Sequence, residues 1–199
     1  MKDEVLDITV GSGVYPPSED TYLLLGAIAL RPHDTFLEVG CGTGLITLNA
    51  ARTARLVIGS DISIAAVQNT IQNARRNGLE ERCSIIQSDL LTSICSSARF
   101  SALAFNPPYL PSDGFRTELD HALVGGGVGT ELAVEFVHQA AGHILPAGSI
   151  YVVVSSLGDV KRVWTAMEGH GLTVSDELQE HLFFEEIHVL RGVLPPQRK

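Results

Sequence analysis

The tetrapeptide Asn106-Pro107-Pro108-Tyr109 combines residue types that could hold a planar amino group for chemistry. Such a nitrogen attacks a methyl sulfonium poorly, because its lone pair is delocalised into a carbonyl group or a ring. The side-chain oxygen of Asn106 and the carbonyl of Pro107 could accept its two N–H bonds and aim the lone pair. Tyr109 offers a flat stacking face, and the prolines stiffen the turn. The tetrapeptide therefore indicates methyl transfer to nitrogen, while a Pro-rich turn after a strand is the structural alternative.

A Gly-rich turn far upstream is typical of a nucleotide-binding unit. An apolar strand pattern begins at Thr35 and leads into this turn, and residues 45–51 have a helical pattern. Strand, turn and helix form the first half of a βαβ unit, in which glycines let the backbone approach a ligand. The spacing Gly40-x-Gly42-x-Gly44 lacks the dinucleotide pattern, because the position three beyond Gly42 is neither Gly nor Ala. We therefore expect a ligand without phosphates.

Acidic residues stand at the ends of three predicted strands. Glu38 lies in the first, Asp61 follows the apolar run 56–60, and Asp89 follows the run 84–88. Asp61 would suit ribose hydroxyls, and Asp89 an amino group such as that of adenine. A single strand-end aspartate is more often a helix cap or a turn residue. Three acidic strand ends in register instead favour a nucleoside site at the carboxyl edge of a parallel sheet.

The order and spacing of these motifs resemble the S-adenosylmethionine-dependent methyltransferases of the Rossmann-like class. The residues that carry the resemblance are the segment 38–44, Asp61, Asp89 and the turn at Asn106. The segment Val14-Tyr15-Pro16-Pro17-Ser18-Glu19-Asp20-Thr21-Tyr22-Leu23-Leu24-Leu25 is similar to the N-terminal signature of HemK-type glutamine methyltransferases of archaea and eukaryotes. This resemblance implies methyl transfer to the side-chain amide nitrogen of the glutamine in the Gly-Gly-Gln loop of a class I peptide chain release factor.

The resemblance also implies which residues bind the cofactor. The glycines of the turn would admit the methionine part of S-adenosylmethionine, and Glu38 would accept from its ammonium group. Asp61 would bind the ribose hydroxyls, while Asp89 and the backbone at Leu90 would hold the adenine edge. A lid segment would contribute one further residue. The predicted cofactor residues are therefore Thr21, Glu38, Gly40, Gly42, Gly44, Asp61, Asp89 and Leu90.

The same resemblance assigns catalysis to Asn106, Pro107 and Tyr109, and substrate contacts to Asn106, Pro108 and Tyr109. No strong general base is expected, because the methylated nitrogen is positively charged and loses its proton readily. The loop Gly125–Gly129 is similar to the family's Gly-rich loop after the catalytic turn, although Val128 stands where relatives often have an acidic residue. No metal is expected, because the histidines and cysteines lack ligand spacing.

Alternating strands and helices predict an α/β fold with a seven-stranded, mostly parallel Rossmann-like sheet, helices on both faces and an antiparallel C-terminal edge hairpin. We expect one methyltransferase domain over residues 1–199, with a lid segment and helix over 1–33 and the core over 34–199. Bacterial HemK relatives have an extra N-terminal helical domain, which we do not expect here. The expected later helices span residues 19–30, 64–77, 130–144 and 159–169, and the expected later strands span 100–105, 149–154, 172–178 and 183–191.

Charge narrows the substrate class. A net charge of −9 is a poor match for nucleic acid, whose phosphates are bound by Lys and Arg. An adenine methyltransferase for DNA or RNA remains the alternative, because the tetrapeptide at Asn106 also suits that chemistry. A non-enzymatic cofactor-binding scaffold is a third reading, and the complete acceptor turn argues against it.

Partner and compartment follow from the same sequence. The resemblance implies a small zinc-binding activator protein that forms a heterodimer by pairing along a sheet edge. The strand containing residues 83–86 is expected at an edge and lacks the charges that usually guard one, although covering by one of the chain's own helices would explain this equally well. We therefore expect the chain alone to be poorly soluble or weakly active. The charged N-terminus lacks an apolar run, so the sequence predicts a cytoplasmic protein without a membrane span.

Overall fold

A computed structural model describes residues 5–108, 130–182 and 185–196. Within these residues, five helices pack against one seven-stranded sheet. The helices are α1 (Glu19–Ala27), α2 (Leu45–Ala51), α3 (Ile64–Arg76), α4 (Glu131–Ala140) and α5 (Val160–Gly169). The strands are β1 (Thr35–Val39), β2 (Leu56–Asp61), β3 (Ser84–Gln87), β4 (Phe100–Phe105), β5 (Ile144–Ser155), β6 (Thr173–His181) and β7 (Glu186–Val193).

The strand order is β3-β2-β1-β4-β5-β7-β6. The first five strands in this order are parallel, whereas β7 lies antiparallel between β5 and β6. The predicted Rossmann-like sheet, its antiparallel C-terminal hairpin and the edge position of β3 are confirmed. Because parallel strands end at the same edge, the turns after β1, β2, β3 and β4 meet there.

Side chains alternate between the two faces of the sheet, and helices cover both faces. In β1, Phe36 packs with α1 and α2, whereas Leu37 packs with α4 and α5. In β4, Leu103 lies on the same face as Leu37, and Ala104 lies on the same face as Phe36. This alternation with a period of two residues buries both faces of the central strands, which explains their nearly continuous apolar sequence.

Several predicted boundaries were wrong. Helix α1 ends at Ala27, because Ile28 already has extended backbone. Helix α4 ends at Ala140, and Ile144 instead begins β5 and pairs with Phe100. The apolar residues that follow α4 continue a helical pattern, but pairing with β4 buries Ile144 in the core. Strand β7 extends to Val193, two residues beyond the predicted end. Strand β6 ends at His181, three residues beyond its predicted end.

The remaining elements match their predictions closely. Helix α3 ends at Arg76, and Gly78 follows with φ 64° as a left-handed C-terminal cap. Helix α5 begins after Asp159, whose carboxylate accepts a bond from the backbone N–H of Arg162. None of the helices in the described part of the chain is both long and apolar enough to cross a membrane.

Candidate active site

The Gly-rich turn and the Asn106 turn border one cavity at the carboxyl edge of the sheet. They follow the neighbouring strands β1 and β4, in which Val39 is paired with Phe105. The cavity encloses about 340 Å³, within the range of small-molecule sites. The predicted residues that line it are Thr21, Glu38, Gly40, Gly42, Asp61, Asp89, Leu90, Asn106, Pro107 and Pro108. Tyr109 and the loop Gly125–Gly129 lie outside the described residues.

The three glycines of the turn have different surroundings. All have left-handed backbone, with φ of 67° at Gly40, 53° at Gly42 and 85° at Gly44. Gly42 lines the cavity, and a Cβ there would meet only the carbonyl oxygen of Tyr15, at 3.9 Å. Gly44 is absent from the cavity lining, and a Cβ there would lie 2.7 Å from Cγ2 of Thr70. The geometry at Gly44 therefore serves the packing of α2 against α3.

We expect Gly44→Ala to lower the free energy of unfolding by about 3 kcal/mol, because the new methyl group overlaps Thr70 and the backbone is left-handed. Gly78→Ala is the matched control. Gly78 has φ 64° and nothing within 4 Å of the added Cβ, so only the backbone cost of about 1 kcal/mol applies. Urea denaturation of both variants measures the difference. Equal losses would contradict the packing role of Gly44.

Glu38 is buried beneath the turn. Its carboxyl group accepts a hydrogen bond from the hydroxyl of Thr47. Burial raises the pKa of Glu38 from 4.5 to about 8, although the bond from Thr47 acts in the opposite direction. An ionised Glu38 is therefore costly unless a cation lies beside it, as the predicted contact with the ammonium group of the cofactor would provide.

The raised pKa of Glu38 makes stability depend on pH. Between pH 4.5 and about 8 the folded protein holds this proton more tightly than the unfolded chain. The free energy of unfolding of the cofactor-free protein should therefore fall across this window, by at most about 5 kcal/mol. Glu38→Gln removes the group and should flatten the dependence. Urea titrations at several pH values test this, and parallel curves for both proteins would contradict it.

Asp61, at the end of β2, fixes the turn from the other side. Its Oδ2 accepts a bond from the backbone N–H of Gly42 at 3.0 Å, and its Oδ1 accepts from that of Ser63 at 2.9 Å. Burial raises the pKa of Asp61, while these backbone bonds favour its charged form. The carboxylate thus connects the cofactor turn to the start of α3 while lining the cavity.

Asp89 and Leu90 lie after β3 at the same cavity. Asp89 is exposed, whereas Leu90 is buried. Leu90 has left-handed backbone with φ 47°, a conformation that costs a leucine about 1 kcal/mol or more. This strained residue lies where the sequence predicts a backbone contact with the adenine edge.

Asn106 carries an unusual buried atom. Among the described residues, its Oδ1 is one of two buried side-chain polar atoms without a hydrogen-bond partner. The other is Oγ1 of Thr130, the residue before α4. A buried acceptor without a donor costs about 1–3 kcal/mol. Asn106 lines the cavity, so the amino group of a bound methyl acceptor could donate an N–H bond to this oxygen and remove the cost.

The cavity also includes residues that the predicted site did not contain. Tyr15 and Asp20 belong to the N-terminal signature, and the Tyr15 hydroxyl donates to Oδ2 of Asp20 at 3.4 Å. Burial and then the charge of Asp20 raise the pKa of Tyr15 to about 12, so its hydroxyl keeps its proton. Phe105 and Leu132 are among the apolar residues of its wall. Leu132 comes from α4, and no sequence signal connected it with the site.

Comparison with known proteins agrees with this geometry. The model of the methyltransferase small domain family matches residues 17–176. The chain is 31% identical to a putative protein N5-glutamine methyltransferase of Methanocaldococcus jannaschii, over 90% of this chain and 91% of that protein. It is 28% identical to the human methyltransferase HEMK2, over 90% and 89% of the two chains.

Among solved structures, a chain of the E. cuniculi Mtq2–Trm112 complex, which is responsible for methylation of the eRF1 translation termination factor, superposes with a TM-score of 0.73. The two chains are 25% identical, and the match covers 92% of this chain and 99% of that one. The resemblance predicted from the turns at Gly40 and Asn106 is confirmed. The chain belongs to the methyltransferase small domain family and, within it, to the HemK-type protein-glutamine methyltransferases.

Proposed function

We propose that this enzyme transfers a methyl group from S-adenosylmethionine to the side-chain amide nitrogen of the glutamine in the Gly-Gly-Gln loop of a class I peptide chain release factor. The buried, unpaired Oδ1 of Asn106, in a chain of this family, is the observation that carries the proposal. It supplies an acceptor for an amide N–H bond beside a cavity whose glycines and carboxylates suit the cofactor.

The residues of the chain would act mainly by alignment. Asn106 Oδ1 and the carbonyl of Pro107 would accept the two N–H bonds, so that the nitrogen lone pair points towards the cofactor. When bound, S-adenosylmethionine supplies a methyl group on a positively charged sulfonium. The N–CH₃ bond forms as the S–CH₃ bond breaks, leaving a neutral thioether. The methylated nitrogen then loses one proton to water, so no basic side chain is needed.

Labelled methyl transfer to purified release factor tests this function. We expect label on the wild-type factor and none on a factor whose Gly-Gly-Gln glutamine is replaced by asparagine. An adenine-containing oligonucleotide tests the alternative substrate, against which the net charge of −9 argues. Label on the oligonucleotide alone would overturn the glutamine assignment, as would equal label on both forms of the factor.

We further propose that a small activator protein pairs with the edge of β3. Among the described strands, β3 pairs only with β2, and its Ile85 and Ile86 are partly exposed. Ile64, at the start of the adjacent helix α3, is 52% exposed and adds apolar surface beside the strand, whereas the 66% exposed Ile62 lines the cofactor cavity. The solved relative that includes Trm112 supports a partner of this kind. The zinc of the predicted activator is part of this proposal.

Co-expression with a candidate activator tests the edge. We expect the chain alone to aggregate or to have at least about tenfold lower activity than the complex, because a partner would cover exposed apolar surface. Ile86→Lys should prevent association. Leu178→Lys is the matched control, because Leu178 is 38% exposed on β6 at the opposite edge. A monodisperse, fully active chain without a partner would contradict the proposal.

A further inference from the structure

The first half of the N-terminal strap, which is defined here as residues 7–17, lies along α3. Three asparagines spaced four residues apart face it: Asn69 and Asn73 on α3, and Asn77 at the C-terminal cap of that helix. Four helical residues rise about 6 Å, and two residues of an extended chain span about 6.6 Å. Because these two distances nearly match, successive asparagines can bind every second residue of the strap.

The asparagines bind the backbone of the strap as a neighbouring strand would. Their side-chain oxygens accept the backbone N–H bonds of alternate strap residues at 2.9, 3.1 and 2.9 Å. Their amide nitrogens donate to two strap carbonyl oxygens, that of Asp7 at 2.9 Å and that of Thr9, which accepts two bonds at 2.8 and 3.0 Å. The distances in both sentences are given in the order Asn77, Asn73 and Asn69.

Asn73 differs from the other two because it also holds the cofactor turn. Its side chain is fully buried, and its Nδ2 donates both to the carbonyl of Thr9 at 2.8 Å and to the carbonyl of Thr43 at 2.9 Å. Its Oδ1 accepts from the backbone and the hydroxyl of Thr9 at 3.1 and 2.8 Å. Both amide protons and the carbonyl oxygen are therefore used.

The strap continues from these contacts to the cavity. Gly11 follows the Asn73 contact along the strap, and Val14 is buried three residues later. The cavity is lined by Val14, Tyr15 and Pro17 of the strap. It is also lined by Thr43, whose carbonyl accepts the second bond from Asn73. The side chain of Asn73 thus connects the strap with the Gly-rich turn, and both of these segments line the cavity.

We propose that Asn73 is a positioning residue that couples docking of the strap to binding of the cofactor. The inference deepens the proposed function, and it rests on that function only for S-adenosylmethionine as the ligand. When Asn73 holds Thr9 and Thr43 together, the strap and the turn have the arrangement that encloses the cavity. Coupling of this kind is reciprocal. Docking of the strap raises the affinity for the cofactor by the same factor by which bound cofactor favours docking of the strap.

Calorimetric titration with S-adenosylmethionine measures one side of this coupling. We expect Asn73→Ala to raise the Kd about tenfold, the loss expected from one or two buried hydrogen bonds. Asn77→Ala is the matched control. It removes two bonds to Asp7 at the far end of the strap and one to the backbone carbonyl of Asn73, but none to the turn, and should change the Kd less than about threefold.

Hydrogen exchange of the amides of Asp7, Thr9 and Gly11 measures the other side, because each amide donates to one asparagine. We expect saturating S-adenosylmethionine to slow their exchange about tenfold in the wild type and not in Asn73→Ala. Neither readout involves the methyl acceptor, so failure of the release-factor assignment would leave this result unaffected.

Asn73→Ala could also disturb α3, so a variant on the strap keeps the test decisive. Thr9→Pro removes both donors that Thr9 offers to Asn73, its backbone N–H and its hydroxyl, without changing the sequence of α3 or of the turn. We expect it to weaken cofactor binding about as much as Asn73→Ala does. An unchanged Kd in Thr9→Pro, or exchange of the strap amides that does not respond to the cofactor, would overturn the coupling.

Discussion

Replacing Asn106 by alanine should lower kcat for methyl transfer about a thousandfold, while the Kd for S-adenosylmethionine changes less than about threefold. The variant removes the buried Oδ1 that has no partner in the free protein and that we assign to an N–H bond of the substrate. Without it, the amide nitrogen is bound with its lone pair unaligned, and most of the loss falls on the chemical step. Single-turnover assays with saturating cofactor, together with calorimetric titration, measure the two quantities.

Asn49→Ala is the control for this experiment. Asn49 lies on α2, and its side chain donates to the carbonyl of Leu45 in its own helix rather than lining the cavity. Its activity should equal that of the wild type. A kcat for Asn106→Ala within tenfold of the wild type, with bound cofactor, would remove Asn106 from the acceptor site and leave the carbonyl of Pro107 as the principal acceptor.

Replacing Asp61 by alanine should weaken cofactor binding about 100-fold. The loss combines the predicted charge-assisted bonds to the ribose with release of the backbone N–H of Gly42. Asp61→Asn keeps one acceptor oxygen, so we expect a smaller loss of about tenfold. Calorimetric titration of S-adenosylmethionine measures both. Because the substrate is absent from this experiment, its result is independent of which nitrogen is methylated.

Asp159→Ala is the matched control for Asp61. Asp159 also accepts a backbone N–H bond, that of Arg162 at the start of α5, but it lies outside the cavity. Its loss should destabilise the fold by about 1 kcal/mol and leave the Kd unchanged. If Asp61→Ala binds the cofactor as tightly as Asp159→Ala, the carboxylate serves only as a turn and cap residue, which was the simpler interpretation of its position.

The sequence predicted the sheet and the cavity well because their signals are local. The segment from Thr35 to Ala51 contains the strand, turn and helix in one continuous pattern, and the structure has each of them with nearly the predicted bounds. The two turns at Gly40 and Asn106 are distant in sequence, but parallel strands bring their ends to one edge. Their proximity therefore followed from topology alone.

Features that depend on distant packing were beyond the sequence. The stretch after Ala140 continued the apolar pattern of a helix, and only pairing with Phe100 makes Ile144 part of a strand. Gly44 looked equivalent to the other glycines of its motif, although its surroundings are those of a packing contact with Thr70. The row of asparagines on α3 likewise had no meaning until the strap was seen to lie along it.

The pairing of β1 with β4 at the centre of the sheet fixes how far apart the two turns of the site lie. Val39 faces Phe105, so the cofactor turn and the acceptor turn leave the sheet at the same level on adjacent strands. Adjacent strands are separated by about 4.8 Å, and a slip of β4 by two residues would displace the acceptor by about 6.6 Å. In the proposed reaction, the distance between the turn that binds the cofactor and the turn that binds the methyl acceptor is therefore set by hydrogen bonds in the middle of the sheet.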